Sequence, residues 1–501
     1  MSYEHINSIG YKFINMPYLF FLLCCTIYIP LFGQESIKME IGEEKILPKM
    51  GYNAPLTHSP NWDNNSFITA VKSLNPHILR YPGGANSFYW DWKKGKTKNY
   101  KELSNAIVGI NKKYTIDYLQ SSTNKGAFWR QIKRYNASMQ NGNTIESFAW
   151  ALKQTKSSAI FVLNVVTSSL DEQIEMLQHA KNNSIDIEFI EIGNEINHKH
   201  ELLEQVYPNA TAYTDTCYRW IKAIRQLFPS VKIGVVGGNK GKFKDWNETV
   251  RKGIASIPNL HFILHYYPIF EDPINFNIQS EYRAFLIRSA SDLNQKLKNW
   301  GWKETEGYST WVTEYNIIEK GPRTIHNKWA HGLFTAMQIH HLIQKTDAEI
   351  FAFHAIGATK FTPFSSLDLM STDVKKNKKT AAGISTYLWN KLTKFADKMY
   401  SVKLNNSNWS HNNRSFNPIY AYVSYSGKKR KLLVCNASEK ARKITLTDLG
   451  ITGGLMEQYS GRLTHDVRGS LNQGAAHWSV TQNEVSKFIE LPSYSITLIE
   501  E

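Results

Sequence analysis

The sequence predicts a parallel (β/α)8 barrel followed by an all-β sandwich domain. Three observations carry this expectation. From Met50 onward, short apolar runs alternate with longer amphipathic stretches, the pattern of a parallel sheet clothed in helices. The runs are eight in number, and eight strands close a barrel. From about Ser401 the alternation stops, and strand-like segments separated by Gly, Asn, Ser and Lys turns take over.

Taken in order, the chain begins with an uncharged apolar run from Met16 to Phe32, preceded by Lys12 and followed by Gly33-Gln34. Residues 1–33 therefore read as a secretory signal peptide. As a helix the run of about 17 residues reaches roughly 26 Å, short of a bilayer core, and Pro30 breaks it. No stable membrane span is expected once the signal is cleaved, and the mature protein is expected to be secreted, periplasmic or at the cell surface. Cys24 and Cys25 lack the small residues that a lipobox places before them, and they leave with the signal. Cys217 and Cys435 are too few and too distant for a disulfide framework.

Residues 34–47 hold a short alternating segment, expected to be a strand that joins the sandwich. Residues 48–398 form the expected barrel. Its strands are predicted at Met50–Asn53, His77–Tyr81, Ala159–Val166, Ile187–Ile192, Lys232–Val236, Phe262–Tyr267, Thr310–Glu314 and Glu349–His354. Helical periodicity marks Thr144–Thr155, Glu172–Asn182, Thr211–Leu227, Tyr282–Trp300 and Asn327–Lys345. An open doubly wound sheet would want a glycine-rich phosphate turn after its first strand, and Gly51-Tyr52-Asn53-Ala54-Pro55 is not one. The polar connection from Trp92 to Asn143, with Phe128-Trp129 inside it, is long enough to wall a cleft at the C-terminal face of the barrel. In the sandwich, residues 399–501, strands are predicted at Pro418–Tyr425, Lys431–Asn436, Ala441–Thr447 and Tyr494–Ile499. Lys428-Lys429-Arg430-Lys431 reads as a solvated hairpin turn.

Composition narrows the function class. With 42% hydrophobic and 20% charged residues, the chain builds a large core and is not disordered. The formal net charge of +16 favours anionic partners. The cations are dispersed and no nucleic-acid module is present, so nucleic acid is not an expected partner. There are 14 Trp and 26 Tyr, enough for rings that stack on sugars as well as for the core.

Two apolar strands end in an acid. Phe189-Ile190-Glu191-Ile192-Gly193-Asn194-Glu195 and Thr310-Trp311-Val312-Thr313-Glu314-Tyr315-Asn316 share this design on the fourth and seventh expected strands. In a barrel these strand ends face each other across the cleft mouth. A carboxylate pair held about 5–5.5 Å apart supports double displacement at a sugar. Glu314 then acts as nucleophile and Glu195 as acid/base, with Asn194 holding a sugar hydroxyl beside it. Glu191, in phase with Glu195, reads as a structural carboxylate inside the barrel. Arg80 ends an apolar strand and needs a carboxylate partner. Tyr267 is placed to donate to Glu314, and His265 to line the glycone pocket, with His354 a weaker candidate. Trp90 and Trp311 are candidate sugar platforms, with Trp92 and Tyr315 behind them. No metal pattern stands up: His198 and His200 lack local co-ligands, and His340-His341 diverge on a helix. Neither a nucleophile elbow nor a P-loop occurs.

The set Arg80-Tyr81-Pro82-Gly83-Gly84, Gly193-Asn194-Glu195, His265-x-Tyr267 and Thr313-Glu314-Tyr315-Asn316 resembles glycoside hydrolase clan A, and within it the α-L-arabinofuranosidases of family 51. The resemblance covers roughly residues 48–395, and the β-tail is similar to that family's C-terminal sandwich. It implies retaining hydrolysis of a polysaccharide or its oligosaccharides. Glu195 matches the acid/base, Glu314 the nucleophile, Asn194 the residue beside the acid, Arg80 the support of the nucleophile, and His265 and Tyr267 the sixth-strand pair. It implies neither a metal nor another cofactor. Ala85-Asn86-Ser87-Phe88 departs from the arabinofuranosidase pattern. Two alternatives stand beside this expectation: a hydrolase of an acidic or sulfated, marine-type polysaccharide, which the basic charge favours, and an inactive carbohydrate-binding barrel. An adhesion protein using the tail has no residue pattern behind it.

Overall fold

In the computed structural model, which describes residues 36–53, 60–98, 102, 142–198, 201–239, 244–305, 307–321, 324–325, 328–356, 379–406, 408–411, 413–465, 467, 478–485 and 487–501, eight parallel strands close into a barrel. The expected signal with Cys24 and Cys25, most of the Trp92–Asn143 connection with Phe128-Trp129, and His200 lie outside the described residues. The barrel strands, first to eighth, are Lys49–Asn53, Ile78–Tyr81, Ser158–Val162, Phe189–Ile192, Lys232–Val236, Leu260–Tyr266, Ser309–Tyr315 and Ala348–His354. Each pairs with the next and the eighth with the first. They read as near-continuous apolar runs because both faces are covered, by helices outside and by one another inside. Ile78, Ile160, Phe189, Trp311, Ile350 and Ala352 fill one interior layer.

A helix follows every strand. The five amphipathic stretches become Ile145–Thr155, Leu170–Asn182, Ala210–Leu227, Gln279–Trp300 and Trp329–Lys345, and Asn65–Ser73, Trp246–Ile254 and Ala381–Thr393 complete the ring. Local chemistry sets several starts: the side chains of Asn64, Thr144, Ser169, Asn209 and Thr380 each accept from a backbone N–H three residues on. Such caps contribute about 1 kcal/mol each. Ser169 with Glu172 also has capping-box spacing.

The third strand ends earlier than its apolar run. Asn164 Oδ1 accepts from the backbone N–H groups of Val166 and Thr167, which bends the chain into a turn after Val162. The seventh strand carries a larger irregularity. From Trp311 to Glu314 it advances three residues while its sixth-strand partners advance two, Ile263 to His265. The ladder to the eighth strand shifts over the same stretch. Strict alternation would put Trp311 and Glu314 on opposite faces; the extra residue lets both face the interior, Trp311 low and Glu314 at the rim.

The C-terminal region forms a seven-stranded antiparallel sheet in the order Met39–Lys45, Lys398–Leu404, Ile419–Ser426, Lys429–Asn436, Ser495–Glu500, Gly454–Gly461, Trp478–Val485. The pair Arg442–Thr445 and Phe488–Leu491 covers one face, closing a β-sandwich over Ile419, Ala421, Val423, Leu432, Val434, Ile444 and Ile489. The other face lies on the barrel. Alternation in Ile419–Ser426 sends Tyr420 and Tyr422 that way: His340 stacks on Tyr420 with centroids 4.3 Å apart, and Tyr422 Oη bonds His340 Nδ1 and Gln344 Nε2 at 2.9 and 2.8 Å. The basic run is not merely a solvated turn, since Lys431 pairs with Glu500 at 3.1 Å and donates to the Lys391 carbonyl. Cys217 and Cys435 are buried free thiols. Among the described residues no helix is long and apolar enough to cross a membrane.

Candidate active site

The C-terminal ends of six barrel strands converge on one buried arginine and two carboxylates. Arg80, from the end of the second strand, is fully buried. Its Nε and Nη2 donate to Glu191 Oε1 and Oε2 at 3.0 and 2.7 Å, its Nη1 to Glu314 Oε1 at 2.8 Å, and its Nη2 also to Asn194 Oδ1 at 2.8 Å. Burial works against the guanidinium charge, but Glu191 and Glu314 outweigh it and hold the group above its ordinary range. Glu191 is fully buried beneath the cleft and serves as the arginine's bidentate anchor.

Glu314 has four further polar neighbours besides Arg80. Asn53 Nδ2 donates to Oε1 at 3.0 Å and Tyr267 Oη to Oε2 at 2.7 Å, while His265 Nδ1 and His354 Nδ1 each lie 3.6 Å from Oε2. Burial is the largest influence on its carboxyl and works against charge, yet His265, His354 and Arg80 together prevail and hold it at about 2. Glu314 is thus an ionised acceptor. Tyr267 stays a protonated donor, since its burial and the Glu314 charge push the phenol well above its usual range. Burial lowers His354, and Asn53 Nδ2 donates to its Nδ1 at 2.7 Å, so that nitrogen is unprotonated.

Glu195 stands across from it, with a side chain 27% exposed. The fourth strand ends in Gly193 at φ 84°, where a Cβ would stand 2.8 Å from Val165 Cγ2. Glu195 itself has φ 41°, a left-handed backbone that non-glycine residues seldom adopt and that gathers at functional sites. Two imidazoles flank the acid: His265 Nδ1 at 2.9 Å from Oε1 and His198 Nδ1 at 3.0 Å from Oε2. Burial opposes its charge, but the hydrogen bonds and charges of these histidines hold its carboxyl well below the usual range. One ligand-capable atom each from Glu195, His265 and Glu314 lie within 4.8 Å of one another. Gly84, at φ 54°, leaves the floor open: a Cβ there would meet Glu314 Oε1 at 3.7 Å and His354 Cε1 at 3.9 Å.

Of the residues singled out from sequence, Arg80, Asn194, Glu195, His265, Tyr267 and Glu314 come together. The tryptophans do not. Trp311 is fully buried in the interior layer, stacked on His261 at 4.6 Å and edge-on to Phe189, because the strand's extra residue follows it and keeps it below the rim. Trp90 is 2% exposed and donates through Nε1 to Tyr81 Oη at 3.0 Å, so it packs the wall rather than presenting a face. Trp92 and Tyr315 are buried as well. Sequence reading missed Asn53 and the contact of His198. Asn53 carried one signal, a polar residue closing an apolar barrel strand. His198 lies three residues beyond Glu195 and looked only like half of a metal pair.

A scan of protein-family models and a search of curated proteins gave no match. Solved structures do match in fold. A family 51 α-L-arabinofuranosidase from Bifidobacterium longum aligns with a TM-score of 0.62 at 13% identity over 93% of this chain and 99% of its own. An α-L-arabinofuranosidase from Thermotoga maritima, in complex with arabinose, aligns at 0.60 and 15% over 93% and 100%. A 4-O-α-L-rhamnosyl-β-D-glucuronidase from Fusarium oxysporum aligns at 0.56 and 13%, again over 93% and 100%. The barrel, its sandwich and their order along the chain are therefore shared, as a fold, with the family 51 α-L-arabinofuranosidases.

Proposed function

We propose that this chain is a secreted, retaining glycoside hydrolase acting on a polysaccharide or its oligosaccharides, with an α-L-arabinofuranoside as the first substrate to test. The observation that carries the reading is the acid pair: two carboxylates within 4.8 Å, one buried and pinned ionised, the other half-open between two imidazoles. That spacing suits direct attack rather than a water held between the acids.

In this reading Glu314 Oε2 attacks the anomeric carbon while the leaving oxygen takes a proton from the Glu195 side. In the empty cleft Glu195 is ionised between two imidazoles. Substrate excludes water, a carboxylate charge in lower dielectric costs more, and the carboxyl takes up the proton that it will donate. After the leaving group departs, Glu195 removes a proton from the incoming water and the covalent ester at Glu314 is hydrolysed. Arg80, Asn53 and Tyr267 hold Glu314 against rotation throughout.

Glu314→Ala is expected to abolish turnover, and Glu195→Ala to lower kcat about 10²–10⁴-fold on substrates with poor leaving groups. Azide should restore the second variant and yield a glycosyl azide of retained configuration. Wild-type rates in both variants, or an azide product of inverted configuration, would sink the mechanism. The acidic-substrate alternative has the +16 charge in its favour. In that case hydrolysis of sulfated oligosaccharides should exceed that of neutral ones and fall steeply with salt. No observation favours an inactive barrel, since both acids and their supports are present.

A further inference from the structure

The same cleft has a second property, which no local sequence spacing signals because its members come from three different strands. Glu195, His265 and Glu314 face one another in the cleft; Arg80, which pairs with Glu314, is shared with Glu191, and no lysine contacts either cleft acid among the described residues. His265 Nδ1 lies 2.9 Å from Glu195 Oε1 and 3.6 Å from Glu314 Oε2. In a tetrahedral site with metal–ligand bonds of 2.0–2.2 Å, neighbouring ligand atoms are roughly 3.4 Å apart. The two observed separations bracket that edge.

We propose that Glu195, His265 and Glu314 form a binding site for a borderline transition-metal dication, Zn2+ foremost, and that the ion closes the cleft by occupying both acids. Three ligands of mixed nitrogen and oxygen with an open fourth position suit Zn2+, whereas Mg2+ and Ca2+ want six or more oxygens. The imidazole is already oriented for it. With the metal on Nδ1, the ring proton sits on Nε2, where Thr313 Oγ1 at 3.2 Å accepts it. Such an outer partner fixes the tautomer of a metal-binding histidine. Closing the site needs rotation of the Glu195 side chain alone, since the ligand atoms are at most 4.8 Å apart and Glu314 stays held by Arg80, Asn53 and Tyr267. An ion there takes the nucleophile and the acid/base together, so it inhibits rather than assists. Metal binding itself does not depend on the proposed hydrolysis; only the inhibition does.

The test uses the untagged full chain with zinc chloride, followed by calorimetry, and with cobalt chloride, followed by the visible band of tetrahedral Co2+. One equivalent is expected to bind. Thr313→Val keeps all three ligands and should weaken binding about 10–100-fold. His265→Gln should weaken it further and remove the cobalt band, with circular dichroism showing that both variants fold. Zinc should inhibit competitively with substrate, a chelator should reverse it, and Mg2+ should have no effect. Absence of one-equivalent binding, or binding indifferent to both substitutions, overturns the site. Hydrolysis without zinc binding removes this inference alone; zinc binding without any hydrolysis removes only the proposed function.

Discussion

At the scale of residues, the two acids differ in what surrounds them, and pH should expose it. Glu314 titrates at about 2, so its loss of charge falls below the range in which such enzymes are assayed. The basic limb of kcat/KM is expected to come from Glu195, which must carry the proton that it donates. His198→Gln keeps a hydrogen-bonding side chain but removes an imidazole from Glu195 Oε2. It should shift that limb by about one pH unit upward, because the carboxyl loses a partner that favours its charged form. An unchanged profile measured from pH 3 to 9 would show that His198 does not govern the acid. For folding the sign is the same for Glu314. Its folded value lies below the unfolded one, so its contribution to stability is full above the unfolded pKa and is lost as pH falls toward about 2. Glu191 has a different role. Glu191→Gln removes the charge beside buried Arg80 and turns one of its two acceptors into an N–H donor facing the guanidinium, and should destabilise the fold by roughly 3 kcal/mol or more, read as a drop in the urea midpoint.

At the scale of elements, the seventh strand shows what was legible and what was not. Its apolar run ending in an acid marked the strand and Glu314 together. Two residues in one strand three apart should face opposite ways, and nothing in Trp311-Val312-Thr313-Glu314 announces the extra residue that turns both inward. Trp311, a candidate platform from sequence, faces inward with Glu314 but lies below the rim in the core. The missed strands have a related cause: Lys398–Leu404 and Gly454–Gly461 mix polar and apolar residues because sheet partners, not periodicity, hold them. Arg80 was readable as an ion pair, but its double grip on Glu191 and Glu314 joins residues 111 and 234 positions apart. In the turn after the second strand, Gly84→Ala should cost about 1–2 kcal/mol for its left-handed backbone. The added methyl against Glu314 should also raise KM more than it lowers stability-corrected kcat. Equal kinetics with only a lower melting temperature would make Gly84 a purely structural glycine.

At the scale of the whole molecule, barrel and sandwich share one buried surface. Tyr282 Oη donates to the Ala437 carbonyl at 3.0 Å, Trp329 Nε1 to the Tyr494 carbonyl at 2.6 Å, and Lys391 bridges to Glu457 at 3.1 Å. The barrel's apolar cluster runs on into Tyr420, Leu433, Ile496 and Leu498 of the sheet. Calorimetry should therefore show one cooperative transition for both domains, and Tyr420→Ala should lower it by several kcal/mol through the cavity it opens beneath His340. Two resolved transitions would mean that the interface is weaker than its burial suggests.

The strand Met39–Lys45 bears on how the protein comes into being. It pairs with Lys398–Leu404, with Met39 opposite Leu404, so its partner is synthesised only after the entire barrel. A ribosome making roughly 5–20 residues per second leaves that strand without its neighbour for tens of seconds. During that interval its Ile41 and Met39 have no sheet to join, and a chaperone or an export pathway that keeps chains unfolded would shelter them. A strand made before the barrel is thus among the last to find its place.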